Sequence, residues 1–227
     1  LLSVAFLGSY AALIVFALVA LAILRRIDIP DAGVHEHHGA ARPLLQIMRQ
    51  PVFVVAALGA ITAYAVMNLL MGATPLAMQM CGLPYASATL VIQWHIIGMF
   101  APALFAGALV QRFGALRVMG AGALTFAVCL AAALGGQTTV HFWLSGTLLG
   151  VGWCFMYVGG TALLTESYRP AEKAKTQGIN DVLVFVVMGA SSAVSGTILW
   201  RYGWSWLNAA ALPWLALTTC AIVWLAW

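Results

Sequence analysis

The sequence predicts an all-α membrane protein with seven transmembrane helices. Of its residues 63% are hydrophobic and only 7% are charged, and the charged residues divide the chain into long apolar blocks. The mean hydropathy is +0.99. Soluble domains are about half apolar and a quarter charged, whereas a spanning helix needs roughly 20 apolar residues. Strands of a membrane barrel would alternate polar and apolar residues, and this sequence does not.

The seven spans follow from the charge-free blocks, taken in chain order. The first block ends at Leu24 and gives one span. The block before Arg112 holds two spans with CGLPYAS as their turn, and the block after Arg117 holds two with GGQTTVH as their turn. The last two blocks lie on either side of Arg201. The predicted spans are 1–24, 52–79, 86–110, 116–135, 140–164, 181–199 and 204–226.

Basic residues are distributed unequally between the two sides of these spans. Nine of the ten Lys and Arg residues fall on loops of one side, and Arg201 alone falls on the other. Cytoplasmic loops carry the excess of basic residues, so we expect a multi-pass protein of the cell membrane whose C-terminus is cytoplasmic. The basic residues form no continuous patch interleaved with aromatics, and no nucleic-acid partner is expected.

One ten-residue stretch of the chain recurs. GALVQRFGAL at 107–116 has a counterpart in GTILWRYGWS at 196–205. At a constant offset of 89 residues, the matched pairs are Gly107 with Gly196, Arg112 with Arg201, Phe113 with Tyr202 and Gly114 with Gly203. Three spans separate the copies, so they lie on opposite membrane faces, as in an inverted-topology repeat.

Gly107, Arg112 and Gly114 resemble the loop motif of the major facilitator superfamily, although Gln111 replaces its aspartate and the second basic residue is shifted to Arg117. ESYRPAEKAKTQGIND (166–181) is similar to that family's loop between its tenth and eleventh helices. The resemblance implies that the last six spans form a 3+3 inverted-repeat half of the major facilitator fold.

The same resemblance assigns three segments. Residues 1–24 would be the helix that ends the N-terminal half, 25–50 the central cytoplasmic loop, and 51–227 the C-terminal six-helix half. The chain opens LLSVAFLGSY inside an apolar run, with neither Met nor a basic leader. We therefore expect a partial chain, and we expect it to pack in the membrane against the N-terminal half of the same protein.

Few charges are available for a gate on the cytoplasmic side. Three of the six acidic residues lie in the central loop, which leaves Glu166, Glu172 and Asp181. Arg112 ends a helix, where it can cap carbonyls or pair with a carboxylate. We predict a cytoplasmic gate of Arg112, Glu166 and Asp181 with Arg112 in ion-pair reach of Glu166, the alternative being interface charges that only fix topology.

Polar and aromatic side chains within the spans predict a substrate cavity. Polar groups are costly there and usually face the protein interior or a water-filled cavity. The resemblance implies that the second, third, fifth and sixth spans line that cavity. The candidate residues are Tyr64, Asn68, Gln93, His95, Trp153 and Tyr157. The alternative is that these side chains pack or hydrogen-bond between helices.

Together these observations predict a secondary active transporter that moves a small organic solute by alternating access in the lipid bilayer. The other hypothesis is a seven-helix receptor or sensor without transport. Proton coupling in this half would rest on His95, the one histidine placed within a span and outside the predicted turns, and a structural histidine is the alternative. Hydrolase motifs are absent, so no enzyme is expected. No cofactor or metal is expected either, although HEHHG (35–39) could hold a divalent ion.

Overall fold

The computed structural model describes residues 7–27 and 41–227. They belong to two compact units, Leu1–Gly39 and Ala40–Trp227. In the first unit the described residues contain helix α1 (Leu7–Leu24), which lies within the first predicted span, and residues 1–6 of that span are outside the described part of the chain. Within the described residues the secondary structure is helical throughout, without strands.

The second unit is a bundle of long apolar helices. After the short α2 (Leu44–Met48), its helices are α3 (Pro51–Met80), α4 (Tyr85–Phe100), α5 (Ala103–Phe113), α6 (Ala115–Leu134), α7 (Thr139–Thr165), α8 (Lys173–Ala209) and α9 (Leu212–Ala226). Five helical stretches are long and apolar enough to cross a membrane, and the last of them covers Pro170–Ala226. Because Gly203 interrupts that last stretch, it supplies two crossings, and the predicted six spans are present.

One predicted boundary was wrong. The third span, predicted as 86–110, is present as Tyr85–Phe113, with a turn at Ala101 and Pro102 between α4 and α5, because proline cannot donate the helical hydrogen bond. The sixth span begins at Lys173 instead of residue 181. A search for charge-free blocks misses such a start, because lysine, threonine and glutamine are acceptable in the first turns of a helix that projects beyond the membrane.

The backbone confirms the repeat that the sequence predicted. Gly114 has φ 86° and joins α5 to α6, and Gly203 has φ 82° and breaks α8 at the equivalent place. A positive φ of this size is strained for residues with a Cβ. A glycine therefore reverses the chain at the same point of each three-helix repeat.

Helix α7 is central to the second unit and packs against α3, α4 and α6. The α4 contact is very close: a Cβ at Gly98 would collide with the carbonyl of Thr147, and one at Gly150 would collide with the carbonyl of His95. Helix α3 packs likewise on α8. Adding 89 to the residue numbers of α3 gives those of α7 to within a few residues, and adding 89 to those of α4 and α5 gives those of α8 before Gly203. The pair α3 with α8 and the pair α7 with α4 are therefore equivalent under the repeat.

Polar contacts tie the end of the chain to this core. The buried hydroxyl groups of Thr62 in α3 and Thr218 in α9 lie 2.6 Å apart and share a hydrogen bond. Just after the Gly203 break, the Trp204 indole N–H donates to the carbonyl of Ala133 in α6 at 3.0 Å. Both bonds fix the second repeat against the first.

Candidate functional site

Three aromatic side chains meet where α3 and α7 pack in the middle of the second unit. The rings of Trp153 and Tyr157, both on α7, are stacked with centroids 5.2 Å apart and planes 19° apart. Tyr64 of α3 stands edge-on to both, at 5.4 Å from Trp153 and 5.1 Å from Tyr157. Stacked and edge-on pairs at these distances are the favoured aromatic geometries. We call these three residues the aromatic cluster.

The spacing of these residues along their helices explains why they form the aromatic cluster. Trp153 and Tyr157 are four residues apart and so share one face of α7. Tyr64 is on the α3 face that packs on α7. All three had been predicted as cavity residues, and the structure brings them together.

Asn68 and Phe185 adjoin the aromatic cluster. Asn68 lies one turn beyond Tyr64 and is half-buried, and its side-chain amide donates to the Tyr64 carbonyl at 3.0 Å. Phe185 of α8, which the sequence analysis missed, has its ring centroid 6.3 Å from that of Tyr64 and is 56% exposed. No periodic signal in the sequence distinguishes this phenylalanine from its apolar neighbours.

The cluster contains one unsatisfied polar atom. Trp153 is only 8% exposed, and within the described residues its indole N–H is buried without a hydrogen-bond partner. A buried donor of this kind costs free energy until an acceptor reaches it. Chemically, the arrangement offers a stacked aromatic wall, an edge-on tyrosine and an indole donor.

Two predicted cavity residues do not join the aromatic cluster. His95 is 4% exposed, and its Nδ1 lies 2.9 Å from the Gly146 carbonyl of α7, a contact that joins α4 to α7. Gln93 is exposed and makes no hydrogen bond within residues 41–227. Residues two positions apart point to nearly opposite sides of a helix, so Gln93 and His95 cannot share one face.

A network of hydrogen bonds, missed by the sequence analysis, fastens the segment before α3 to the connection between α7 and α8. The fully buried Glu172 carboxylate accepts from Arg42 through Nη2 at 2.6 Å, Nε at 2.9 Å and the backbone N–H at 2.8 Å. The backbone N–H of Arg169 donates to the same carboxylate at 3.0 Å. Arg42 and Gln50 also donate to the Ser167 carbonyl, and the Lys175 ammonium donates to the Arg42 carbonyl.

This network shifts the pKa of both partners in the ion pair. Hydrogen bonds from Arg42, and then from the Arg169 backbone, hold the pKa of Glu172 well below its usual range. The pKa of Arg42 is raised, chiefly by its side-chain hydrogen bond to Glu172. Pro170 and Glu172, at the first and third positions of a helical turn, form a helix-start pattern that could have identified the segment.

The predicted pairing of Arg112 with Glu166 was wrong. Within the described residues Arg112 makes no ion pair, and its guanidinium lies 5.3 Å from the Phe113 ring centroid. Glu166 instead shares a groove of about 420 Å³ with Arg117. Asp181 was predicted to begin its span, but α8 begins eight residues before it, at Lys173. Asp181 therefore lies inside the helix, one turn before Phe185 and on the same face. The assumption about helix ends holds for Glu166, which directly follows α7, but it fails for Asp181, which lies inside α8.

Metal binding has no support in the described residues, which contain no group of three or more His, Cys, Asp or Glu side chains placed to hold an ion. The HEHHG stretch at 35–39 lies outside the described residues.

Comparison with known proteins agrees with the fold. The family model for the Major Facilitator Superfamily matches residues 56–227. The Riboflavin transporter RfnT of Brucella anthropi is 36% identical over 220 residues, covering 96% of this chain and 55% of that protein. The Uncharacterized MFS-type transporter YdeG of Bacillus subtilis is 36% identical over 148 residues, 64% of this chain and 34% of that protein. The Multidrug resistance protein MdtL of Shewanella oneidensis is 28% identical over 165 residues, 68% of this chain and 42% of that protein.

The chain thus spans about half the length of the curated relatives it matches. Its apolar helices and their inverted repeat agree with the matched family model. The chain belongs to the major facilitator superfamily of secondary membrane transporters.

Proposed function

We propose that the full-length protein transports a small organic solute with a planar aromatic ring system, a flavin being the first candidate. The observation that carries this proposal is the stacked pair of Trp153 and Tyr157 with Tyr64 edge-on to both. Such a wall is suited to a flat π-system, because offset stacking and edge contacts extend to a further ring. The similarity to a riboflavin transporter supports the same solute class.

The polar groups beside the aromatic cluster support a solute with hydrogen-bonding groups. The unpartnered Trp153 N–H is a donor, and the half-buried Asn68 amide can exchange its bond to the Tyr64 carbonyl for one to a solute. Ring carbonyls and ring nitrogens of a flavin would satisfy such donors. We assign Tyr64, Asn68, Trp153, Tyr157 and Phe185 to the substrate cavity.

The working cycle is alternating access in the cell membrane. In this proposal residues 1–24 end the N-terminal half, 25–50 form a cytoplasmic central loop, and 51–227 are the C-terminal half with a cytoplasmic C-terminus. The Arg42 and Glu172 network holds the end of that loop on the C-terminal half, so residues 41–50 move with it. No catalytic activity is part of the proposal, and a receptor without transport has no support from the matched family.

The test is uptake of radiolabelled riboflavin by proteoliposomes that contain the full-length protein. Lumichrome, which carries the flavin ring without the sugar chain, should compete for uptake, and ribitol, which carries the chain without the ring, should not. Alanine at Asn68 or Tyr157 should raise the apparent KM or abolish uptake while the amount of inserted protein stays normal. Competition by ribitol alone, or parental uptake by both variants, would refute the assignment of the cavity.

A further inference from the structure

Two grooves on the second unit are related by the internal repeat. The first, of about 240 Å³, lies beside the Gly114 turn, and its lining includes Leu109, Phe113, Arg117 and Ala121. The second, of about 360 Å³, lies beside the Gly203 break and is lined by Ile198, Tyr202, Trp206 and Ala210. Each residue of the second group follows one of the first by 89 positions. We call them the Arg117 groove and the Trp206 groove.

The turn geometry explains both grooves. In each groove the four lining residues named above stand five and one positions before the glycine and three and seven positions after it. These spacings place them one helical turn apart along the two helices that meet at the glycine. Nothing lies within 4 Å of a Cβ built at Gly114 or Gly203, so the space at each turn is open.

The grooves are apolar, and exposed large side chains stand at their edges. Phe113 is 45% exposed at the first groove, and Tyr202 and Trp206 are 62% and 67% exposed at the second. Both grooves lie where the chain reverses at the end of a span, which is the depth at which hydrocarbon meets lipid headgroups. An acyl chain matches the lining, and a headgroup would lie at the turn.

Charge distinguishes the two grooves. Arg112 near the first groove and Arg201 near the second are equivalent under the repeat. Arg117 lines the first groove, whereas its equivalent in the second groove is the uncharged Trp206. Glu166 lines the adjoining groove together with Arg117, and its negative charge offsets one of the two positive charges of Arg112 and Arg117. The Gly114 turn therefore keeps a net positive charge on the side predicted to be cytoplasmic, where anionic lipids are concentrated and basic pockets between helices bind their headgroups. Tryptophan and tyrosine suit the opposite interface.

We propose that the Arg117 groove is a binding site for an anionic phospholipid of the cytoplasmic leaflet. One acyl chain lies along Leu109, Phe113 and Ala121, and Arg117 binds the headgroup phosphate. The Trp206 groove takes an acyl chain without selecting a charged headgroup. This inference is independent of the transported solute.

The experiment is native mass spectrometry of the full-length protein titrated with phosphatidylglycerol and, separately, with phosphatidylcholine. One interfacial basic residue contributes about 1 kcal/mol, so R117Q should weaken the first phosphatidylglycerol affinity about fivefold, and R117K should preserve it. A121F fills the Arg117 groove and should remove this binding event. A210F fills the Trp206 groove and should leave phosphatidylglycerol affinity unchanged.

Three results would overturn the proposal. The first is phosphatidylglycerol affinity in R117Q equal to that of the parent and of R117K. The second is a loss of affinity in A210F as large as that in A121F. The third is a single cysteine at Ala121 that does not react with a lipid-soluble maleimide in vesicles, which would mean that another part of the full-length chain covers the groove. The comparison of R117Q with R117K remains decisive even if A121F fails to fold.

Discussion

Replacing Gly150 by alanine should weaken the contact between α4 and α7. The added Cβ would collide with the His95 carbonyl, and it would lie 2.8 Å from the Met99 backbone nitrogen and 3.0 Å from the Gly98 carbonyl carbon. These are backbone atoms, which cannot rotate away as a flexible side chain can. The two helices must therefore separate locally to accept the methyl group.

The magnitude follows from two opposing effects. Overpacking of a tight contact costs about 1–3 kcal/mol, and alanine in place of glycine in a helix returns about 0.5–1 kcal/mol. We expect G150A to lower the free energy of unfolding by about 1 kcal/mol, the difference between the midpoints of those two ranges. Gly189 is the matched control, because no atom lies within 4 Å of its Cβ position, so G189A should be neutral or stabilising.

The assay is thermal unfolding of the full-length protein in detergent, followed by tryptophan fluorescence for the parent and both variants. G150A should melt below the parent and G189A at or above it. The packing argument fails if G150A melts at the parental temperature, or if G189A loses as much stability as G150A.

Three further predictions concern the charged network, the topology and His95. Because the pKa of Glu172 is lowered in the folded protein, the ionised carboxylate should stabilise the fold fully above the usual pKa near 4.5, and this stabilisation should fade as the pH falls below that value. The melting temperature measured against pH should therefore fall in this range for the parent but not for E172Q. Single cysteines at Gln137 and Ser205, in a cysteine-free background, should react with an impermeant thiol reagent from outside and one at Ala174 should not, the reverse pattern contradicting the orientation. H95F should lower stability by about 0.5–1.5 kcal/mol by removing the bond to the Gly146 carbonyl. The pH profile of uptake should be unchanged in H95F, and a shifted profile would instead identify His95 as a proton carrier.

Most of the fold could be predicted from the sequence, because a bilayer imposes a long apolar run on every spanning helix. The repeat could also be found, since positive φ at Gly114 and Gly203 requires glycine at both turns. The start of α8 at Lys173 could not, because a helix projecting beyond the membrane tolerates polar residues. The same error placed Asp181 at a helix end.

The aromatic cluster was predictable where two residues of one helix share a face. Trp153 and Tyr157 meet this condition, and the 89-residue offset relates Tyr157 to Asn68. Gln93 and His95 do not meet it, which the spacing alone could have revealed. Phe185 and the pairing of Arg42 with Glu172, 130 residues apart, depend on tertiary packing that no local pattern encodes.

The central claim, that the aromatic cluster binds a planar aromatic solute, is tested most directly by riboflavin binding to the purified full-length protein. Flavin fluorescence is quenched when the ring stacks on tryptophan or tyrosine, so titration gives both the affinity and the environment. Trp94 is the control, because its ring pairs edge-on with Trp143 at 5.6 Å outside the cluster. We predict that the parent and W94L bind riboflavin with equal affinity and quenching, and that W153L loses both. Equal binding by W153L and W94L, or no binding by the parent, would contradict the claim.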